Sequence, residues 1–209
     1  MRRGLIAVAA LSALAGCATV QPEPIRPRVA LDTTAGTIVL ALNAAVAPST
    51  TCNFIGYVVT GDYDGGTFFR TVNRDTNTAS RYPIDVIQAA TPRGSDDASR
   101  PPIILERTRD TGLRHTAGAV SMARDGPDSA TSSFFIVTED TPSLDYGGGR
   151  NPDGQGFAAF GAVLQGLDVA RRIQRMPVNS QEQLTPPVGI RSARLLDAAP
   201  AVCMKSMRP

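Results

Sequence analysis

Apolar residues along the chain fall into short runs, some alternating with polar residues and some continuous, separated by clusters of Gly, Pro, Ser, Thr, Asn and Asp. Val29 to Leu31 and Thr37 to Leu42 flank Ala35-Gly36, the pattern of a β-hairpin. Pro48-Ser49-Thr50-Thr51 predicts a helix start, with proline in the first turn and hydroxyls near the cap. Phe54, Tyr57 and Val58 then recur at i, i+3 and i+4, giving one apolar face, and Gly61 ends it. Thr67 to Val72 reads as a strand with Phe68, Arg70 and Val72 on one face. An Arg on an apolar face is either paired at a core edge or displayed in a pocket. Ile84 to Ala90 is a further strand, with Ile84, Val86 and Gln88 on one face and Asp85, Ile87 and Ala89 on the other.

The stretch Gly118 to Val137, GAVSMARDGPDSATSSFFIV, is two apolar runs joined by Asp125-Gly126-Pro127 and a small-residue segment, which predicts two antiparallel strands. Phe157 to Val163 and Gly189 to Leu196 are strands as well. Leu167, Ala170 and Ile173 have helical spacing ahead of Pro177. Residues 73–83, 91–114 and 141–156 read as irregular, and the tail from Asp197 has no period. The count is about eight strands and two helices, with no internal repeat. An antiparallel sheet loses its exposed edges by closing, so the expected fold is mainly β, a closed eight-stranded antiparallel barrel capped by two α-helices.

Composition supports a single folded domain: 209 residues, 42% apolar and 19% charged, with Gly and Pro plentiful and aromatics at 5%. The first 17 residues, MRRGLIAVAALSALAGC, change the picture. Arg2 and Arg3 precede an apolar run too short to span a bilayer, the form of a secretory signal. Its ending, Leu14-Ala15-Gly16-Cys17, resembles the lipobox of bacterial lipoproteins. That likeness implies cleavage before Cys17 and a lipid on its thiol. The organisation expected is then a signal peptide over 1–16, a Pro-rich tether over 17–27, the domain over 28–197 and a tail over 198–209. The location is the periplasmic side of a bacterial membrane. Ala18, rather than Asp, after the cysteine points to the outer membrane; the alternative is a soluble periplasmic protein. Losing Arg2 and Arg3 leaves as many basic as acidic residues, so no nucleic-acid footprint is expected. A monomer is expected.

Cys52 and Cys203 remain after Cys17. An oxidising compartment permits a disulfide, but sequence does not show that the two meet. Cys52 lies in a helical pattern and reads as a small buried apolar residue. No Cys/His spacing suggests a metal, and no cofactor is expected. His115 is the only histidine, sits just before a strand and reads as structural. No Ser occupies a nucleophile elbow, and the Gly runs at 65–66 and 147–149 lack phosphate-loop spacing. What remains is Arg70 and Gln88 on strand faces, with Phe135 and Phe157 on others. Such a set offers no nucleophile, base or metal, but it can hold a chain segment and act on it through hydrogen bonds.

Taken in order, VALDTTAGTIVLAL, APSTTCNFIGYVVTGDYDGGTFFRTV, VIQAA, RHTAGAVSMARDGPDSATSSFFIVTED, SLD and FAAFGAVLQGLDV resemble the cyclophilin-type peptidyl-prolyl isomerases. The resemblance implies an eight-stranded barrel with two helices and a proline-peptide groove. It implies Arg70 as the catalytic arginine and Gln88 as the glutamine orienting it and the substrate. Phe135 then floors the proline pocket, with Val86 and Leu144 in its walls and Phe157 where histidine or tyrosine is usual. Met122 and Ala123 lie on the rim strand, and Arg124 replaces an asparagine that binds peptide backbone. The implied partners are proline-containing peptides and unfolded or exported proteins. Departures are Phe69 for a histidine, Asp85 for a pocket phenylalanine, Ala89-Ala90 for a Gly-Gly pair, and Ser133 for a Gln or Glu that would brace the site. The chain has no Trp, so weak cyclosporin sensitivity is expected. The function implied is X-Pro isomerisation; the alternative is a proline-peptide binding module or holdase chaperone on the same scaffold.

Overall fold

The structure, a computed structural model, describes residues 26–206 except 76, 79 and 98. The expected signal peptide, Cys17 and nearly all of the tether lie outside the described residues. Eight strands run in chain order: β1 Arg28–Thr33, β2 Gly36–Leu42, β3 Thr67–Val72, β4 Val86–Ala90, β5 Ala119–Met122, β6 Phe134–Val137, β7 Ala158–Gln165 and β8 Gln183–Leu195. They close into an antiparallel barrel in the order β1-β2-β7-β5-β6-β4-β3-β8, with β8 returning to β1. Closure leaves no free edge.

The hairpin forms where the pattern places it. Thr33 Oγ1 donates to the Gly36 carbonyl at 2.5 Å, and Gly36 takes φ +130°, a value favouring glycine. Alternation then sends Val29, Leu31, Ile38, Leu40 and Leu42 into the barrel. The interior is dominated by the rings of Phe54, Tyr63, Phe68, Phe134 and Phe160. Phe54 lies 5.1 Å from Phe134 and 5.2 Å from Phe160, centroid to centroid. Full burial of such a side chain stabilises by about 1.5–3 kcal/mol. Helix α1, Pro48–Val59, buries Phe54, Ile55, Tyr57 and Val58. Its first turn is capped from a distance: the Glu106 carboxylate accepts from the Ser49 and Thr50 N–H groups at 3.0 and 2.8 Å. An acid there also suits the positive end of the helix dipole. The local hydroxyls do not cap it. The short helix α2, Thr108–Thr111, lies within the long 91–114 segment, and α3, Leu167–Gln174, buries Val169, Ala170 and Ile173.

Four expectations change. Strand β3 does not keep Phe68 and Arg70 on one face. The register slips between them: Phe68 opposes Ala89 while Arg70 opposes Gln88, leaving Phe69 as the extra residue of a bulge. Strand β8 begins at Gln183 rather than Gly189; Pro186-Pro187 hides its start from a strand pattern. The tail is not featureless. Residues Ala201–Ser206 form helix α4, too short for a period to show, and Cys203 on it is disulfide-bonded to Cys52 on α1 with Cα atoms 4.9 Å apart. Cys52 is therefore a cross-link rather than a small apolar filler. Arg28 and Asp197 fix the other end of that segment, with Nη2 to Oδ1 at 2.8 Å.

The disulfide joins positions 151 apart, so its loss enlarges the unfolded ensemble greatly. Reduction, or Cys203→Ala, is expected to lower unfolding free energy by about 2–4 kcal/mol in urea titrations. Coincident unfolding curves for the oxidised and reduced protein would show that the cross-link carries no stability.

Candidate active site

The bulge at Phe69 decides which way Arg70 faces. Phe68 enters the barrel core, and the extra residue lets Arg70 emerge on the outer face. There the register sets Arg70 beside Gln88 and Gln88 beside Phe135, across β3, β4 and β6. Neighbouring positions, Val72, Val86 and Val137, continue the same face. The FFIV run therefore serves both sides: Phe134 and Ile136 belong to the barrel interior, while Phe135 and Val137 join an outer cluster with Val72, Ile84, Val86, Ala119 and Leu144. A continuous apolar run is what a strand buried on both faces requires.

This outer cluster floors a cavity of about 250 Å³. Ile84, Val86, Phe135, Leu144 and Phe157 supply its apolar surface; Arg70, Gln88, Ala123, Arg124, Asp125 and Arg150 complete it. Phe135 is 5% exposed and meets Phe157 edge-on, with centroids 5.5 Å apart and planes at 86°. Phe135 also stacks on His115, with centroids 6.0 Å apart. His115 is buried. Its Nδ1 donates to Asp145 at 2.8 Å, and Nε2 pairs with the Ser121 hydroxyl at 3.0 Å. Histidine is thus a brace behind the phenylalanine, as its position in the sequence indicated. Burial by itself raises the pKa of Asp145. The hydrogen bonds from His115, with the charge of Arg114 behind them, outweigh it and hold the carboxyl below its ordinary value.

Arg70 is clamped from two sides. Nη1 donates to Gln88 Oε1 at 3.3 Å, and Nη2 pairs with the Glu182 carboxylate. Glu182 also accepts from Asn77 Nδ2 at 2.5 Å. It sits at φ +62° just before β8, and its carbonyl accepts from the Thr71 N–H at 3.0 Å, which ties its placement to β3. Gln88 Nε2 in turn donates to Ser133 Oγ at 3.1 Å, and that hydroxyl donates to the Ala89 carbonyl at 3.0 Å. Ser133 therefore braces Gln88, contrary to the expectation that a serine there removes a partner.

Other positions depart from expectation. Met122 is 1% exposed and packs inside the barrel, because its turn in the β5 alternation points inward; it does not line the cavity. Arg124 lines the cavity, but its guanidinium is not free for a peptide backbone. It forms a fork on Asp153 at 2.7 and 2.9 Å, donates through Nε to the Gly156 carbonyl at 2.8 Å, and lies 5.1 Å from the Phe157 ring centroid. That pairing lowers the pKa of Asp153. Asp85 leaves no gap in the wall. It faces away from the cavity, accepting from the Arg74 N–H at 3.1 Å and Gln174 Nε2 at 3.2 Å, and Ile84 supplies the wall. Ile84 shared the face of Val86 and Gln88 in the sequence. Arg150 and Glu182 carried no such signal, being brought in by long-range folding.

An outward arginine held by Gln88 and Glu182 beside an apolar-floored cavity on a closed eight-stranded barrel defines a site that can take a peptide segment. A family profile described as cyclophilin type peptidyl-prolyl cis-trans isomerase/CLD matches residues 28–195, and the chain belongs to that family. A peptidyl-prolyl cis-trans isomerase of Streptomyces antibioticus is 38% identical over 173 residues, covering 80% of this chain and 98% of its own. Isomerase A of Dickeya dadantii is 34% identical over 200 residues, covering 93% and 98%. A crystal structure of a Cryptosporidium parvum cyclophilin type isomerase superposes with TM-score 0.67 at 18% identity, over 83% of this chain and 99% of that one. Its structure in the presence of the dipeptide Ala-Pro gives 0.66.

The Asp145 shift has a definite sign. A carboxylate whose folded pKa lies below its unfolded value of about 3.9 stabilises the fold above that value, and the contribution is lost as pH falls through the folded pKa. Urea midpoints measured from pH 6 down to pH 2 are expected to fall less steeply for Asp145→Asn than for the wild type. Parallel profiles would remove Asp145 from the acid sensitivity.

Proposed function

We propose that the protein accelerates cis-trans rotation about X-Pro bonds in exported polypeptides, from a lipid-anchored position on the periplasmic side of a bacterial membrane. The carrying observation is Arg70, held by Gln88 and Glu182 beside a cavity floored by Phe135. Rotation about an X-Pro bond faces a barrier of about 18–20 kcal/mol, because it breaks amide resonance. In the twisted state the prolyl nitrogen regains its lone pair. A guanidinium placed over the ring can donate to that nitrogen only then, so the bond strengthens at the transition state, as catalysis requires. Each decade of rate needs about 1.4 kcal/mol, within the reach of a few charge-assisted hydrogen bonds. Phe135 holds the proline ring by apolar contact. Gln88 and Glu182 remove the search of Arg70 for its geometry, so less entropy is lost at the moment of reaction. A holdase needs only an apolar face; the clamp on Arg70 supports catalysis over simple binding.

Export is supported by the charged-then-apolar start of the chain and by the Cys52–Cys203 disulfide, which fits an oxidising compartment. Anchoring is supported by Leu14-Ala15-Gly16-Cys17 and the Pro-rich stretch behind it.

Arg70→Ala is expected to lower kcat/KM on an Ala-Pro peptide by about a hundredfold or more while the protein still unfolds cooperatively. Arg70→Lys restores little, since an ammonium lacks the planar fork. Near wild-type turnover in Arg70→Ala sinks the catalytic assignment. For the anchor, Cys17→Ser is expected to move the protein from the membrane fraction to the soluble periplasmic extract; unchanged partitioning contradicts lipidation.

A further inference from the structure

Three arginines line the cavity: Arg70 and Arg124, which are paired with Glu182 and Asp153, and Arg150. The loop of Arg150 is fitted tightly to the body of the protein. The Arg150 N–H donates to the Ser143 carbonyl at 3.1 Å. A Cβ on Gly149 would lie 2.1 Å from the Tyr82 ring, and one on Gly148 would lie 2.4 Å from the Ser143 carbonyl oxygen, so Gly148 and Gly149 are what let the loop approach so closely. The guanidinium then donates through Nη1 to Ser80 Oγ at 2.9 Å and to the Tyr82 carbonyl at 3.2 Å.

Both partners are neutral. Among the described residues Arg150 makes no ion pair. The carboxylates around it are engaged elsewhere: Glu182 with Arg70 and Asn77, Asp153 with Arg124. Asp125, also on the lining of this cavity, is exposed to solvent, and among the described residues no hydrogen bond or ion pair joins it to Arg150. Burial, and then the charge of Arg70, pull the pKa of Arg150 below its usual value, against the opposing pull of Glu182. The group nevertheless stays charged at neutral pH, because a guanidinium starts above 12. A half-buried cation without its own counter-ion, next to a second cation, is a place where an anion lowers the electrostatic energy.

We propose that Arg150 is an anion subsite of the proline cavity, selecting peptides that carry a carboxylate immediately beside the proline. This rests on the isomerase reading above. A proline ring occupies well under half of a cavity of about 250 Å³, so there is room beside it for part of a flanking residue, and that is the group that meets Arg150. The unused N–H groups of the guanidinium form a planar fork that matches a carboxylate. The carboxylate comes either from an Asp or Glu side chain next to the proline or from the α-carboxylate of a chain ending in proline.

The test uses the full-length protein and exchange NMR. Rates are measured on Ala-Pro-Glu and Ala-Pro-Gln peptides with blocked ends, and on Ala-Pro with a free or amidated C-terminus. At low salt the preferred carboxylate source is expected to give kcat/KM about fivefold above its neutral counterpart, an advantage that shrinks as salt is raised. In Arg150→Gln that ratio collapses to about one, and Arg150→Lys recovers part of it. A residue that merely pins the loop would change all peptides together and leave the ratio intact. Equal rates for charged and neutral peptides in the wild type, or a ratio surviving in Arg150→Gln, overturn the subsite while leaving the isomerase reading standing. If no peptide is turned over, it is the isomerase reading that fails. The ratio of Kd values for the same peptides then decides the subsite by the same criterion.

Discussion

The structure turns on the single extra residue in β3. Without the bulge at Phe69, strict alternation would put Phe68 and Arg70 on the same face of the strand. Either the ring would leave the barrel core or the guanidinium would enter it. A buried unpaired guanidinium carries a desolvation penalty of several kcal/mol, and an exposed Phe68 forfeits about 1.5–3 kcal/mol of burial. The bulge satisfies both residues. It also delivers Arg70 to the position where Gln88 from β4 and Glu182 from the start of β8 can hold it.

From that point the site is built in layers behind the working surface. Phe135 forms the floor, His115 stacks behind it, and Asp145 and Ser121 fix the His115 ring. Ser133 stands behind Gln88, and Asn77 behind Glu182. Each functional side chain is therefore held by a neighbour whose own hydrogen bonds are satisfied, and this supplies preorganisation without a metal, nucleophile or base in the mechanism. The Arg124–Asp153 fork does the same for the rim, fixing the loop that carries Gly156 and engaging the Arg124 guanidinium within the protein.

Much of this could be read from the chain. The hairpin, α1 and α3 each show a period, the two strands of Gly118 to Val137 show as apolar runs around a Gly-Pro break, and β4 places Val86 and Gln88 together. Phe135 and Leu144 also line the cavity at the positions the resemblance implies. What could not be read is what depends on register or distance. A bulge leaves no trace in an alternating pattern, so alternation alone puts Arg70 on the face of Phe68. The inward turn of Met122 follows from the pairing of β5 with its two neighbours. Glu182 reaches Arg70 across 112 positions, and Cys203 reaches Cys52 across 151. Helix α4 is shorter than any period that could reveal it. Arg150 was hidden behind a Gly run whose purpose is visible only against Tyr82.

The central claim is that the clamped Arg70 acts on a twisted prolyl bond rather than merely gripping a peptide. The most direct test is two-dimensional exchange NMR on an unlabelled Ala-Pro peptide with a trace of the wild-type protein. Uncatalysed interconversion takes tens to hundreds of seconds. Strong cis-trans exchange cross-peaks within a mixing time of about a second, scaling with protein concentration, are the predicted result. Shifted or broadened peptide resonances with no exchange cross-peaks at any protein concentration would mean that the site binds proline without turning it, and would contradict the account.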